Sequence, residues 1–448
     1  MKPLIFFLSQ LLVLNLCAQI SFPLKASQDT KYLVDQNDRP VFLNGCASWR
    51  LPYALSYADA KKFLIDRKAK KFNAVLVQVT PDAKAFNNHP ERMPLGVDAF
   101  ENNDLSKPNA KYFLHLDSLL TLCEEMNIAV LIAPMYLGCC GDGWLEIIQK
   151  YNNSTEICRQ YGQWFANKYK NYKNLIWVSG GDHNAVPESI AFAEGIASVD
   201  TTHLHTFHAH PGKSSADRFR GSKWHTLSAA YTYFPAMEKD TAWQYTQVYT
   251  MLYDEMINNY RMPCILMESA YEDERFTNIQ TLRRQAYWSL LGGASGHIFG
   301  QRDIWQMNSE VMNSIKRPGS ESMKIFKTFT ESIPWYKMKP DWAHTFFVSG
   351  RGTFNSTIYP GGEDYATGAF MPDSSMAVLY LPESRKVGVN MSRLKKPATV
   401  QWFDPSSGKY ISVAGKFNNQ GLHFFVPPAT TNSKGFDDWV LVVKIPDL

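Results

Sequence analysis

Short apolar segments alternate with segments of helical periodicity along the first three quarters of this chain. Eight such apolar segments fall within roughly 300 residues, the size of one large α/β domain. The segment 58–70 shows the three- and four-residue apolar spacing of a helix, and so does the segment after residue 110. Eight strands that alternate with helices predict a (β/α)8 TIM barrel. The predicted strands are centred near residues 41, 73, 128, 175, 205, 227, 264 and 297.

The pattern changes near Pro334. Beyond it, short apolar segments such as 377–381, 400–403 and 439–443 are separated by turn residues, with no helical segment between them. This pattern of short apolar segments and turn residues is typical of a small all-β sandwich domain. We therefore expect a catalytic (β/α)8 barrel over residues 25–333 and a β-sandwich domain over residues 340–448. A chain of 448 residues with 45% hydrophobic residues is long and apolar enough for two such cores.

The amino terminus predicts a secretory signal peptide over residues 1–18. Lys2 precedes an apolar run over residues 4–16, and a small residue, Ala18, marks the expected cleavage site. The run is shorter than the about 20 residues that a membrane-spanning helix needs, so we expect no transmembrane segment. A lipid anchor on Cys17 is the less favoured alternative, because Leu16 is a poor residue before a lipidated cysteine. The predicted location is secreted or periplasmic, or surface-associated if Cys17 is lipidated.

Charge and cysteine content exclude several functions. The chain has 46 Lys and Arg against 42 Asp and Glu, and the resulting net charge of +4 gives no reason to expect a nucleic-acid partner. No pair of cysteines has the C-x-x-C spacing of a zinc site, and we expect neither a metal nor a cofactor. Cys46, Cys123, Cys158 and Cys264 lie in apolar segments and are predicted to be buried thiols. The disulfide state of the adjacent pair 139–140, which lies in a loop, stays open.

Two carboxylates follow the fourth and seventh predicted strands. Asp182 stands in Ser-Gly-Gly-Asp-His-Asn, residues 179–184, and Glu268 ends the apolar segment 264–268. The carboxyl ends of barrel strands carry the active site, and two carboxylates there suit hydrolysis of a glycosidic bond. Each also has a structural explanation. Asp182 could cap the following helix, and Glu268 could pair with Arg283 or Arg284.

Further candidates follow other strands. Aromatic residues at strand ends are predicted to stack on sugar rings, and polar ones to bind sugar hydroxyls. Arg302 could bind acidic groups, and Glu272 is a weaker candidate for the nucleophile than Glu268. Four histidines between residues 203 and 210 cannot converge on one metal, because alternate residues of a strand face opposite sides. The predicted substrate-binding residues are Trp49, Tyr136, Asn184, His208, His210, Tyr271, Gln301 and Trp305.

Several stretches resemble the apiosidase-like glycoside hydrolases, family 140 and its relatives. They are Asn-Gly-Cys-Ala-Ser-Trp at 44–49, the segment 175–184, His-Ala-His-Pro at 208–211, Arg-Gln-Ala-Tyr-Trp at 284–288 and Gly-His-Ile-Phe-Gly at 296–300. Trp-Phe-Asp-Pro-Ser-Ser-Gly at 402–408, with Asp-Trp-Val-Leu at 438–441, resembles the β-sandwich of that family, which is often labelled collagen-binding.

The resemblance implies a retaining glycosidase with Asp182 as acid/base and Glu268 as nucleophile. The relatives commonly have Gly-Asp-Thr where this chain has Gly45-Cys46-Ala47, so we expect one altered substrate contact and do not carry apiose specificity over. The predicted function is removal of a terminal sugar from a complex polysaccharide, with plant cell-wall material expected. A non-catalytic carbohydrate-binding protein and a matrix adhesin are the alternatives. The predicted partner is an oligo- or polysaccharide, and the sequence makes no prediction of an oligomeric state.

Overall fold

The structure is a computed structural model of the chain. It describes residues 19–81, 97–138, 143–233, 247–258, 262–274, 277–355 and 361–446. The predicted signal peptide, Cys17 and the cysteine pair at 139–140 lie outside the described residues. Among the residues described, no helix combines the length and the apolar character needed to cross a bilayer.

Eight parallel strands form the barrel, in the order expected from the sequence. Each is fully buried, as the continuous apolar segments predict. The ring closes between the fifth and sixth strands, where the backbone N–H groups of Thr226 and Leu227 donate to the His205 carbonyl at 3.0 and 3.2 Å. The eight strands are β3 (Leu43–Ala47), β4 (Ala74–Gln78), β5 (Ala129–Ala133), β6 (Leu175–Gly180), β7 (His205–His208), β9 (Ser228–Tyr231), β10 (Cys264–Glu268) and β12 (Gly296–Gln301).

Four short strands accompany the barrel. A two-stranded hairpin precedes it, and two further strands pair with β9 and β12. They are β1 (Lys25–Ala26), β2 (Leu33–Val34), β8 (Lys213–Ser214) and β11 (Tyr271–Glu272).

Helices surround the ring. Several begin where the sequence supplies a cap: Ser56, Asn109, Ser154 and Asn278 each accept a backbone N–H from the first turn. The helices are α1 (Leu51–Ala54), α2 (Tyr57–Ala69), α3 (Ala110–Glu125), α4 (Leu145–Lys150), α5 (Thr155–Tyr169), α6 (Pro187–Ala197), α7 (Ser215–Phe219), α8 (Val248–Asn258), α9 (Ile279–Leu291), α10 (Arg302–Gln306), α11 (Val311–Ser314) and α12 (Pro318–Glu331).

The carboxy-terminal strands are antiparallel and form two sheets. A separate apolar core that includes Leu379, Trp402 and Trp439 lies between them, as expected for a β-sandwich. The six-stranded sheet has the order β13 (Lys339–Pro340), β15 (Thr367–Phe370), β16 (Met376–Leu381), β21 (Trp439–Lys444), β18 (Thr399–Asp404) and β19 (Lys409–Ser412). The three-stranded sheet has the order β14 (Phe347–Ser349), β17 (Val387–Asn390) and β20 (Leu422–Phe425).

The sandwich packs on helix α9 of the barrel. Arg283 makes a two-pronged ion pair with the buried Asp438, with nitrogen–oxygen distances of 2.8 and 2.7 Å. Next to it, the rings of Tyr287 and Tyr380 stack with their centroids 4.8 Å apart and their planes nearly parallel. These contacts are fully buried, so the sandwich is held as a fixed part of the molecule.

Candidate active site

Asp182 lies just beyond the carboxyl end of β6, on a sharp backbone turn. Gly180, Gly181 and Asp182 all have positive φ, at 81°, 127° and 48°. A Cβ on Gly181 would lie 2.3 Å from the ring of Tyr136, so only glycine fits there. The left-handed conformation of Asp182 costs about 1–2 kcal/mol, a type of strain that concentrates at functional sites.

The structure contradicts the helix-capping explanation for Asp182. The next helix, α6, begins at Pro187, and its N-cap residue is Val186. The Asp182 backbone N–H instead donates to Nδ1 of His208 at 3.0 Å. One carboxylate oxygen of Asp182, Oδ1, is buried with no hydrogen-bond partner among the described residues. The turn therefore presents this carboxyl group without using it for local structure.

Glu268 is the last residue of β10 and is 6% exposed. Its Oε2 lies 2.6 Å from Nε2 of His208. The salt-bridge explanation is contradicted for Arg283, whose guanidinium is bound to Asp438, and Arg284 donates to the Glu363 carbonyl at 3.3 Å. Glu268 therefore faces the site.

His208 connects the two carboxyl residues, and its contacts determine its tautomer. Because Nδ1 accepts the Asp182 N–H, the ring proton must be on Nε2, which donates it to Glu268. Three aromatic rings pack around the imidazole, with centroid distances of 5.3 Å to Trp49, 6.1 Å to Tyr136 and 4.8 Å to Tyr231. The ring is 1% exposed and held from several sides, so it can fix the geometry of both partners.

Tyr271 also acts on Glu268. The indole N–H of Trp49 donates to the Tyr271 hydroxyl at 3.0 Å, and the Tyr271 hydroxyl lowers the pKa of the Glu268 carboxyl group. Trp49 and Tyr271 are each only 4% exposed. These two predicted sugar-stacking residues therefore leave little ring surface open to a sugar.

The electrostatics of the pair reflect its burial. Burial raises the pKa of Glu268, and the nearby Asp182 charge raises it further, while the hydrogen bonds from His208 and Tyr271 oppose this. Burial lowers the pKa of His208, but the Glu268 carboxylate outweighs it, so the net direction is upward. The pKa values of Tyr136 and Tyr231 are raised by burial and by the charges of both carboxylates. Tyr231 was missed by sequence reasoning, because the small residues of β9 make a weak strand signal.

Trp305 belongs to a neighbouring cluster. Its indole N–H donates to Glu274 at 2.5 Å, the Tyr233 hydroxyl donates to the same carboxylate at 3.0 Å, and Arg50 lies 5.0 Å above the indole ring. Trp305 and Tyr136 are half-buried, so they retain the ring surface that a sugar could contact.

Three polar candidates lie outside this cluster. Asn184 and His210 line a cavity of about 500 Å³ that also includes Phe207 and Ala209. Phe207 and Ala209 belong to the apolar cluster outside the barrel, so the cavity lies on the outer side of β7. Gln301 is fully buried and caps α10, where its side chain accepts the Ile304 N–H at 2.8 Å. Asn184 and His210 thus contribute to this outer cavity, and Gln301 contributes to the start of α10.

Two further candidates from the sequence, one cation and one carboxylate, have structural partners. Arg302 pairs with Asp303 at 3.4 Å, and Glu272 accepts the backbone N–H of Gly319 at 2.8 Å. Burial raises the pKa of Glu272 to about 7. Glu272 therefore contacts the first turn of α12 and does not share the hydrogen bonds that join Asp182 and Glu268.

The departure from the family pattern at Cys46 lies on the outer face of the barrel. Cys46 is fully buried in the layer between strands and helices, with its sulfur 3.8 Å from the buried guanidinium of Arg67. A carboxylate at this position would meet Arg67. The expectation that its loss alters a substrate contact is therefore wrong.

Asp182, His208 and Glu268 each place one potential ligand atom within 4.8 Å of the other two. That spacing could hold a metal ion. However, Nδ1 of His208 accepts a backbone N–H and Nε2 donates to Glu268, so neither nitrogen has a free lone pair for a metal. The cluster has the hydrogen-bonding pattern of a pair of catalytic carboxylates.

A (β/α)8 barrel with carboxylates after its fourth and seventh strands is the architecture of a glycoside hydrolase, an enzyme whose substrate is a carbohydrate. Residues 27–337 match the family model described as "Apiosidase-like, catalytic domain", and the chain belongs to that family. Residues 362–444 match the model described as "Putative collagen-binding domain of a collagenase". No curated protein sequence gives a significant match.

Two solved structures are similar over nearly the whole chain. A glycoside hydrolase family 5 protein from Bacteroides vulgatus shares 21% identity over 94% of this chain and 93% of its own, with a TM-score of 0.79. A second structure, described as a glycoside hydrolase, shares 21% identity over 95% of this chain and 97% of its own, with a TM-score of 0.78. At this identity the similarity establishes a common fold.

Proposed function

We propose that this protein is a secreted, retaining exo-glycosidase that removes a terminal sugar from a complex polysaccharide, with plant cell-wall material as its expected source. The observation that carries the proposal is the spacing of the two carboxylates, with oxygens of Asp182 and Glu268 within 4.8 Å. Retaining enzymes hold their carboxyl groups about 5–5.5 Å apart, whereas inverting enzymes leave about 6.5–9.5 Å for a water molecule. One oxygen of each carboxylate within 4.8 Å of the other is consistent with the shorter, retaining arrangement.

In the first step, Glu268 attacks the anomeric carbon and Asp182 gives its proton to the departing glycosidic oxygen. This forms a covalent glycosyl-enzyme and releases the rest of the polysaccharide. In the second step, Asp182 takes a proton from water, which attacks the anomeric carbon and returns Glu268 as a carboxylate. The hydrogen bonds from His208 and Tyr271 favour the ionised form of Glu268 that this chemistry requires.

Location and mode of action rest on sequence features. The signal-peptide pattern of residues 1–18 supports secretion or export to the periplasm. The length of sequence between β4 and α3 is the feature from which we propose action at a chain end.

The test is product analysis on a panel of plant and host polysaccharides with the wild type, Asp182→Asn and Glu268→Gln. We expect both variants to lose nearly all turnover, and the first product of the wild type to keep its anomeric configuration by NMR. Glu272→Gln is the matched control, since it neutralises a buried carboxylate four residues from Glu268 and should keep turnover. Near-normal hydrolysis by either site variant would refute the assignment, and an inverted product would refute retention.

The same panel distinguishes the two alternatives. A carbohydrate-binding protein would bind a glycan without turnover by the wild type. A matrix adhesin would bind collagen as the full chain and show no turnover.

A further inference from the structure

A cavity of about 370 Å³ lies at the end of the barrel opposite the proposed catalytic pair. Gly293 and Ala294, which line it, directly precede β12, whereas Glu268 ends β10. The remaining walls come from the hairpin before the barrel, the connection 335–340 and the sandwich segment 371–373. Its volume lies within the about 300–1,000 Å³ typical of ligand pockets. The amino-terminal face of a TIM barrel serves stability, so catalysis does not account for a cavity there.

Three aromatic rings line this cavity and hold one another in place. Tyr32 lies 6.2 Å from Trp335 and 5.5 Å from Tyr336 between ring centroids. Trp335 also packs edge to face on Phe42, with the ring centroids 5.3 Å apart and an angle of 83° between the ring planes. Tyr32, Trp335 and Tyr336 remain half-exposed, so part of each ring is open to a ligand. Rigid, half-exposed aromatic rings with polar neighbours suit sugar faces, because they offer apolar area at little entropic cost.

The charged groups around the cavity favour an acidic ligand. Three lysines line it, Lys31, Lys337 and Lys339, against two aspartates. The Lys31 ammonium pairs with Asp29 at 3.5 Å, which leaves Lys337 and Lys339 against Asp373, so the lining carries a net positive charge. The Lys337 ammonium lies 5.6 Å from the Tyr336 ring centroid, so a cation and a stacking surface are presented together.

We propose that this cavity is a second carbohydrate site, which binds an oligosaccharide containing uronic acid units. One sugar ring stacks on Tyr336 and Trp335, while Lys337 and Lys339 donate to hydroxyl and carboxylate oxygens. Because the cavity faces away from Asp182 and Glu268, the site holds a polymer without blocking hydrolysis. It also lies between the barrel and the sandwich, which gives the second domain a role in binding.

The test is calorimetric titration of the full chain carrying Glu268→Gln with two matched probes, a cello-oligosaccharide and its C6-oxidised glucuronic acid counterpart. We expect the acidic probe to bind more tightly, and Tyr336→Ala to weaken its binding about fivefold. The double variant Lys337→Glu, Lys339→Glu keeps the aromatic rings. It should also weaken binding of the acidic probe and reduce the salt dependence of that binding. Thermal unfolding of each variant confirms that the fold is intact.

Tyr151→Ala is the matched control, because Tyr151 is an exposed tyrosine with the Lys150 ammonium 5.3 Å from its ring centroid, away from the cavity. It should bind the acidic probe like the parent protein. The proposal is overturned if the parent binds neither probe, if it binds both equally, or if the cavity variants bind like the control. Binding is measured without turnover, so the result is independent of the proposed hydrolysis.

Discussion

Nε2 of His208 lies 2.6 Å from Oε2 of Glu268, and the other nitrogen of the same ring accepts the Asp182 backbone N–H. One imidazole thus sets the position of both proposed catalytic residues. A neutral ring with its proton on Nε2 satisfies both contacts, whereas a doubly protonated ring would break the bond to Asp182. His208 is a positioning residue, and its effect should be measurable separately from that of the carboxylates.

His208→Ala should lower kcat/KM about 100-fold, because it removes a charge-assisted hydrogen bond to the nucleophile and frees the Asp182 turn. It should also move the acidic limb of the pH–rate profile to higher pH, since the lost bond lowers the pKa of Glu268. His205→Ala is the control, because His205 is equally buried on the same strand but pairs with Ser179. If both variants lost kcat/KM equally and the acidic limb did not shift, His208 would contribute only packing.

Tyr271→Phe should shift the acidic limb in the same direction with a smaller loss of kcat, about tenfold. The hydroxyl lowers the pKa of Glu268 and accepts the Trp49 N–H, so its removal raises the pKa of the carboxyl group that must be ionised. The pH dependence of kcat/KM for wild type and variant, measured on one soluble substrate, checks this. An unchanged acidic limb would show that Tyr271 does not act on Glu268.

Glu272→Gln should stabilise the protein selectively at high pH. The pKa of Glu272 is raised from 4.5 to about 7 by burial, so its favourable contribution is complete below about 4.5 and is lost as pH rises through about 7. The amide does not titrate, so relative to wild type the variant gains up to roughly 3 kcal/mol above pH 7. Urea unfolding at pH 5 and pH 8.5 measures the change, with the exposed Glu310→Gln as control. A constant difference between wild type and variant would contradict it.

Asp438→Asn should destabilise the whole chain by about 3–5 kcal/mol, because it leaves the Arg283 guanidinium buried and unpaired. Lys71→Met breaks an exposed pair of similar length, 2.6 Å to Glu331, and should cost at most about 1 kcal/mol. Denaturant unfolding compares the two losses. Similar losses would mean that the sandwich does not depend on this contact.

Local patterns predicted the parts of the site that each strand carries by itself. The apolar segment before Glu268 and the glycines before Asp182 determine a strand end and a sharp turn within a few residues, so both positions could be read directly. The contacts between residues of different strands could not be predicted from local patterns. Residues 182, 208 and 268 come from three strands, and only the register of the ring decides that His208 lies between the other two.

The dependence on contacts between distant residues also explains why the predicted roles of Gln301 and Cys46 differ from those in the structure. Gln301 and Cys46 follow the predicted strands, but whether such a side chain enters the site, caps a helix or meets Arg67 depends on the packing of distant elements. Eight buried strands, the carboxylates at two of their ends and the change to β-structure could be predicted from the chain alone, because apolar periodicity and turn residues act over short distances. The histidine that joins the carboxylates and the cavity beside Tyr336 could be identified only in the folded protein, since both depend on residues far apart in sequence.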